Sequence, residues 1–435
     1  METARNKSFN YAIGMFGTSI PINMLKTYAA IFYVDRLGLP TPQFALILFV
    51  YTFIDVLDNP VYGFLSDRTR TKWGRRRPWL VIGTPLLVLG LIAFYSTPEF
   101  LSGNSLLAYA MLFYILTGTL DSVINANYAA LFPELFTDDA SRAKTNAMRQ
   151  AFQLVAMIIS IALTPIVTNA LGYSLTAILY GSLGGVVILY MAFTARERKI
   201  EPDEEKPQLW SSIKSIIKNR NFWIAGLTNA FYSAAMSLVL AGLPFFVKYT
   251  LQIPDAQSTI LFASVLLIAI VCVIFWAWLV RKYRLIPVWR VALVALAVSF
   301  IPLFFATDLI SAILGSILVG FGFAGVITTM DLIGARIMDE DQRKYNVRRE
   351  GIYANAMGFM NRLSGLFTSL AFLLLFHLFG FESGDNPGAQ PGTASRFLLT
   401  VFPLILMVVS LGFSFFLKFT RRQNASAGEV HPEEV

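Results

Sequence analysis

Charge is scarce in this chain. Of its 435 residues, 14% are Asp, Glu, Lys or Arg, against about a quarter in a soluble domain. Hydrophobic residues make up 56% and the mean hydropathy is +0.60, which excludes an ordinary soluble globular domain. Cysteine is nearly missing too. The single Cys272, inside an apolar run, excludes a disulfide framework and a cysteine metal site. Nothing resembles a nucleotide-binding loop, a Ser–His–Asp set or a metal-ligand cluster, so primary pumping and catalysis have no support and no cofactor is expected. The start, METARNKSFNYAIGMF, leads into a long helix without an A-x-A-like site, so no cleavable signal peptide is expected.

What the chain has instead is one apolar run after another, each near the roughly 20 residues that cross a bilayer. Spans are expected near 9–34, 42–66, 78–96, 104–132, 147–171 and 174–195, then 222–250, 258–280, 286–306, 309–335, 350–380 and 395–418. This reads as an all-α polytopic membrane protein with twelve transmembrane helices. The 37 Phe, 17 Tyr and 7 Trp suit lipid-facing helices and interfacial belts. One long, strongly charged connection, TARERKIEPDEEKPQLWSSIKSIIKNRN, separates two sets of six. The expected organisation is an N-terminal six-helix bundle (1–200), a cytoplasmic linker (201–221), a C-terminal six-helix bundle (222–420) and a disordered cytoplasmic tail (421–435). Six-plus-six halves describe one transporter architecture.

The net charge of +8 does not signal nucleic acid, because the basic residues sit in short loops between spans. Arg68–Arg77 follow span two, Arg281, Lys282 and Arg284 follow span eight, and Arg343, Lys344, Arg348 and Arg349 follow span ten. The intervening loops STPEFLSGNS and FESGDNPGAQPGTAS carry almost no basic residues. The positive-inside rule then places both termini in the cytoplasm of a plasma-membrane protein.

Against this background FIDVLDNP, residues 53–60, is anomalous. A carboxylate at membrane depth costs about 2.5–3.5 kcal/mol on insertion scales, so it faces a cavity, pairs, or binds a cation. Asp55 and Asp58, three apart, share a helix face, with Asn59 adjacent. Pro60 removes a backbone donor and frees a carbonyl. Two carboxylates, an amide and loose carbonyls suit a hard monovalent cation. The competing reading pairs both acids with basic residues at the mouth of the helix. Softer features are Asn229, Ser233 and Ser237, a stripe on span seven, and Asp331 in span ten, which either pairs with Arg336 or lines a pathway.

GFLSDR (63–68) resembles the signature of the major facilitator superfamily. The longer DNPVYGFLSDRTRTKWGRRRPW is similar to the glycoside–pentoside–hexuronide:cation symporters (melibiose-permease-like). Further matches are YVDRLGLP, YAALFPELFTDDASRAKTNAMRQ, FFVKYTLQIPD and YNVRREGIYANAMGFMNR, in order over most of the chain. The resemblance implies the major facilitator fold and cation-coupled symport of a sugar, glycoside or sugar acid.

Residue by residue, the resemblance makes Asp55 a cation ligand. Asp58 and Asn59 exchange identities relative to the family pattern D-x-x-N-D-P. Ser122 falls on a hydroxyl ligand of the cation and Asn125 on the position of a helix-four acid. Asp121 and Arg149 fall on substrate-lining positions, and Arg362 falls on an intramembrane lysine position, where a guanidinium needs an acidic partner or an anionic ligand and is expected to bind substrate. Thr18 and Ser19 stand where a sugar-binding Lys–Asp pair is implied, which departs from galactoside specificity. The coupling ion is expected to be Na⁺, with H⁺ or Li⁺ as rivals. Expected partners are a small-molecule substrate, that cation and membrane lipid. A sodium-coupled lysophospholipid carrier of the same fold is the alternative cargo reading. A non-transporting receptor or scaffold is the alternative of another class, and it predicts no need for Asp55.

Overall fold

The computed structural model describes residues 7–136, 139–195, 197, 218–345 and 350–419. Apart from an isolated bridge between Thr71 and Gly74, the regular structure of these residues is helical. Among them, ten helices are long and apolar enough to cross a membrane. The chain is thus an all-α polytopic membrane protein.

Two expected spans, one and five, fall short of that measure, and both are assembled from pieces. Span one comprises Ser8–Ala12, Gly14–Ala30 and a π-helical end, Ile31–Arg36. Span five starts as the polar-faced Asp139–Met157, passes through a π-helical turn at Ile158–Ala162, and finishes inside the helix Thr164–Thr194. That last helix also holds span six up to Thr194. The reversal between them is Gly172, with φ 78° and ψ 170°, at a position the sequence leaves between the two expected spans. Only glycine enters that backbone region without strain.

Span two, Thr41–Arg68, is one continuous helix through Pro60. The ring removes the N–H that would reach back four residues, so the carbonyl of Val56 loses its intrahelical donor. The freed oxygen therefore lies between Asp55 and Asp58 in sequence, without a break in the helix. Span eleven does break, between Glu350–Arg362 and Ser364–Phe379.

Contacts group the chain into two units. The first takes Met1–Glu204, Leu240–Ala263 and Thr368–Ser395; the second takes Glu205–Val239, Ser264–Phe367 and Arg396–Val435. Within the first, a core of Tyr11, Leu80, Leu87, Ile124, Tyr128 and Met191 is fully buried. Spans one and six cross at Gly17 and Gly184, where a Cβ on either would come within 2.8 Å of the other's carbonyl oxygen. Small residues let helix backbones approach in a medium where apolar burial alone gives no preference.

At one end of this unit the π-helical ends of spans one and seven meet. The Asp35 carboxylate is 3% exposed and takes the Lys248 ammonium at 2.6 Å. It also accepts the Tyr249 hydroxyl. Gly384 donates its N–H to the Val34 carbonyl at 2.9 Å, an approach that leaves no room for a side chain at 384.

In the second unit, Gly322 and Gly315 of Leu309–Tyr345 (span ten) pack against Leu296 and Leu303 of Leu285–Phe305 (span nine). Trp276 donates its indole N–H to the Phe321 carbonyl at 3.0 Å. Ser410 donates to the Thr228 carbonyl at 2.8 Å, tying spans twelve and seven.

Candidate cation and substrate site

Spans two and four of the first unit bring Asp55 and Ser122 together by a simple register. Tyr51 lies on Gly118, so closely that a Cβ there would fall 2.4 Å from the ring. One turn further along both helices, the Ser122 hydroxyl donates to Asp55 Oδ1 at 3.1 Å, fully buried. Asp55, Asp58 and Asp121 are 7%, 5% and 8% exposed, and Ser122 is 2% exposed. On span four itself the Asn125 amide donates to Asp121 Oδ1 at 2.8 Å. Among the described residues no three carboxylate, histidine or cysteine groups converge. The oxygens are instead organised as Asp55 with Ser122, Asp121 with Asn125, and Asp58 one turn along from Asp55. Hydroxyl, amide and carboxylate oxygens of this kind match a hard cation. The Asn59 side chain lies outside the described residues.

Thr18 and Ser19 are buried on span one, at 1% and 7% exposure, with the Thr18 hydroxyl turned to its own helix at Met15 O, 3.4 Å away. They sit one turn along from Gly14, whose Cβ would meet Tyr128.

Arg149 sits in an aromatic cage that the sequence does not announce. Its guanidinium lies 5.1 Å from the Tyr128 ring centre, 5.2 Å from Phe132 and 5.8 Å from Tyr11. Tyr11 and Tyr128 stack at 4.6 Å and each donates its hydroxyl to the other's carbonyl, at 2.6 and 3.1 Å. Guanidinium over π-faces is attractive and costs little hydration. Nε of Arg149 is buried without a hydrogen-bond acceptor among the described residues. The one signal the sequence holds is Tyr128 and Phe132, four apart on span four.

Arg362 belongs to the second unit and is half-buried at the last residue before the break in span eleven. Its neighbour Asn361 accepts from the Asn229 amide and, at 3.2 Å, from the Ser233 hydroxyl. Two members of the span-seven stripe are thus used in helix–helix contact. Arg336, the candidate partner of Asp331, has its guanidinium 4.7 Å from the Phe419 ring.

The arginines after span two are more than topology anchors. Glu197, after span six, accepts the backbone N–H groups of Arg75, Arg76 and Arg77 at 2.6, 3.1 and 2.7 Å. Glu134, at the end of span four, takes Arg75 at 2.8 Å and Arg76 at 3.5 Å. Arg76 donates to Ser66 at 2.5 Å. In the sequence Glu197 is only a lone acid within a basic run, and Glu134 only the first of three acids at the end of an apolar span.

A family model described as "MFS/sugar transport protein" matches residues 10–421. The "Inner membrane symporter YicJ" of Escherichia coli (strain K12) is 26% identical over 258 residues, 57% of this chain and 55% of that protein. The "Isoprimeverose transporter" of Lactiplantibacillus pentosus is 24% identical over 289 residues, 64% of this chain and 59% of the relative. The chain thus aligns with somewhat over half the length of both. In fold, it is similar to the crystal structure of a bacterial homolog of the human lysosomal transporter Spinster, inward-facing and unoccupied. The TM-score is 0.69, with 12% identity, over 97% of this chain and 98% of the other.

Proposed function

Since the chain belongs to the MFS/sugar transport protein family, and so is a membrane transporter with the major facilitator fold and not an enzyme, we propose that it couples entry of a sugar or glycoside to a monovalent cation bound at Asp55. The observation that carries this reading is the buried Asp55–Ser122 pair with Asp58 one turn away. Carboxylates at that depth are retained where ions or substrates pass. The sugar class rests on the family description and on the relative named for isoprimeverose; symport rests on the relative named as a symporter.

The chemistry divides among the residues. Asp55 supplies charge, while Ser122, Asp58 and the Val56 carbonyl supply further oxygens. Asp121 and Asn125 present an acceptor and an amide suited to hydroxyls. Arg149 is held flat by Tyr11, Tyr128 and Phe132, its Nε without an acceptor among the described residues. Cation and substrate are linked as a coupling free energy: whichever binds first tightens the other by the same factor.

The test is Asp55→Asn in proteoliposomes, with Na⁺ and pH gradients applied separately. Accumulation should vanish in the variant. Na⁺ at a hundredfold its dissociation constant should stabilise the native protein by about 2.7 kcal/mol by mass action, and the variant by nothing measurable. Accumulation that follows only the pH gradient would assign the coupling to H⁺. Normal accumulation by Asp55→Asn under both gradients would remove Asp55 from coupling.

A further inference from the structure

The second unit carries a polar cavity lined by none of the candidate cation- and substrate-site residues. It measures about 300 Å³, at the small end of ligand pockets. Its wall includes Lys218, Arg220, Asn221, Glu340, Asp341 and Lys418. The site is where span seven begins, span ten approaches its end, and the chain leaves span twelve. Lys218, Arg220 and Lys418 are exposed, and among the described residues none has a carboxylate within ion-pair distance. The wall is fixed by hydrogen bonds. The Asn221 amide donates to Glu340 Oε2 at 3.0 Å and to the Lys418 carbonyl at 2.9 Å. Asp341 is 3% exposed.

Three cations and two carboxylates around one small cavity suit a ligand that itself carries both signs. A phosphate would sit on the lysines and Arg220, and an ammonium with N–H groups would sit on Glu340. The surroundings favour a lipid over a soluble phosphate ester. Phe415 and Phe416, each 57% exposed, lie just before Lys418, and Trp223, 38% exposed, lies three residues after Arg220. Exposed aromatics where apolar spans end belong to the headgroup level of a membrane, with acyl chains alongside. Basic pockets between helix ends bind lipid headgroups. We propose that this pocket holds the headgroup of an amine-bearing phospholipid of the phosphoethanolamine class.

The test uses the full chain in nanodiscs of phosphatidylcholine, doped with either phosphatidylethanolamine or phosphatidylglycerol. Readouts are lipid retained in native mass spectrometry and apparent melting temperature. The native protein should retain phosphatidylethanolamine in preference to both others. Glu340→Gln keeps an acceptor for Asn221 and removes the partner of the ammonium. It should bind phosphatidylethanolamine about tenfold more weakly, the loss of one charge-assisted contact, and leave phosphatidylglycerol unchanged. Replacing Lys218, Arg220 and Lys418 together by Gln should abolish retention of both; if that variant does not fold, Glu340→Gln alone decides. Equal retention of the three lipids by the native protein, or an undiminished preference in Glu340→Gln, would overturn the proposal. So would soluble phosphoethanolamine stabilising the protein as well as the lipid does. Sugar uptake by the variants reports separately on the transport reading.

Discussion

Tyr51 lies against Gly118 one helical turn before Asp55 meets Ser122. The spacing on spans two and four is therefore set by the absence of a side chain at 118. A methyl group there would have to displace an aromatic ring that sits between two packed helices.

Gly118→Ala should accordingly lower stability by about 1–3 kcal/mol, the usual cost of overpacking, seen as a lower apparent melting temperature. It should also weaken Na⁺ stabilisation, because the Asp55–Ser122 distance opens with the helices. Tyr51→Val in the same background should restore stability by making room. An unchanged melting temperature in Gly118→Ala would show that the ring moves freely.

For Arg149, charge and shape are separable. Arg149→Lys keeps the cation and loses the flat group held among Tyr11, Tyr128 and Phe132. Substrate affinity should fall by about tenfold or more in Arg149→Lys and further in Arg149→Ala, with the Asp55-dependent Na⁺ effect retained in both. Equal uptake by Arg149→Lys and the native protein would reduce Arg149 to a charge alone.

Lys248→Ala leaves the Asp35 carboxylate with one partner, Tyr249, at a place where it is almost inaccessible to water. A fully buried pair broken this way loses about 3–5 kcal/mol. Because Lys248 is 42% exposed, solvent screening cuts the expected loss to about 1–2 kcal/mol. Adding Asp35→Asn to Lys248→Ala should recover most of it. A double variant less stable than the single would mean the two residues do not act as a pair.

Orientation is open to chemical labelling. With Cys272 replaced by Ala, a membrane-impermeant thiol reagent applied outside intact cells should reach a cysteine placed at the exposed Asn386 and not one at the exposed Lys72. The reverse pattern would invert the topology read from the basic loops.

Much of this is legible in the sequence because hydropathy and bilayer thickness leave few choices. The expected gap between spans five and six falls on Gly172, whose positive φ makes the turn. Asp55 stands out as an acid in an apolar run, Ser122 is singled out by the family resemblance, and the two meet. The π-helical ends are not legible, since an apolar run looks the same whether its hydrogen bonds skip four residues or five. Nor is the cage around Arg149: it depends on Tyr11, more than a hundred residues from Tyr128, and periodicity within one helix carries no information about which neighbour it meets. Glu197 escapes for a related reason, because its partners are three backbone N–H groups and have no signature in side-chain type.

The π-helical ends of spans one and seven, Ile31–Arg36 and Phe246–Leu251, carry a consequence for how this chain can vary by descent. A π turn is an α turn holding one surplus residue. Deleting the codon for Phe246 or Val247 would leave a good helix of nearly the same length, but would rotate the residues beyond the deletion by about 100° (one residue of an α-helix). Lys248 and Tyr249 would then no longer both reach Asp35. Lineages should therefore tolerate substitutions at these span ends far more readily than insertions or deletions, even though a shortened helix would be locally the more regular one.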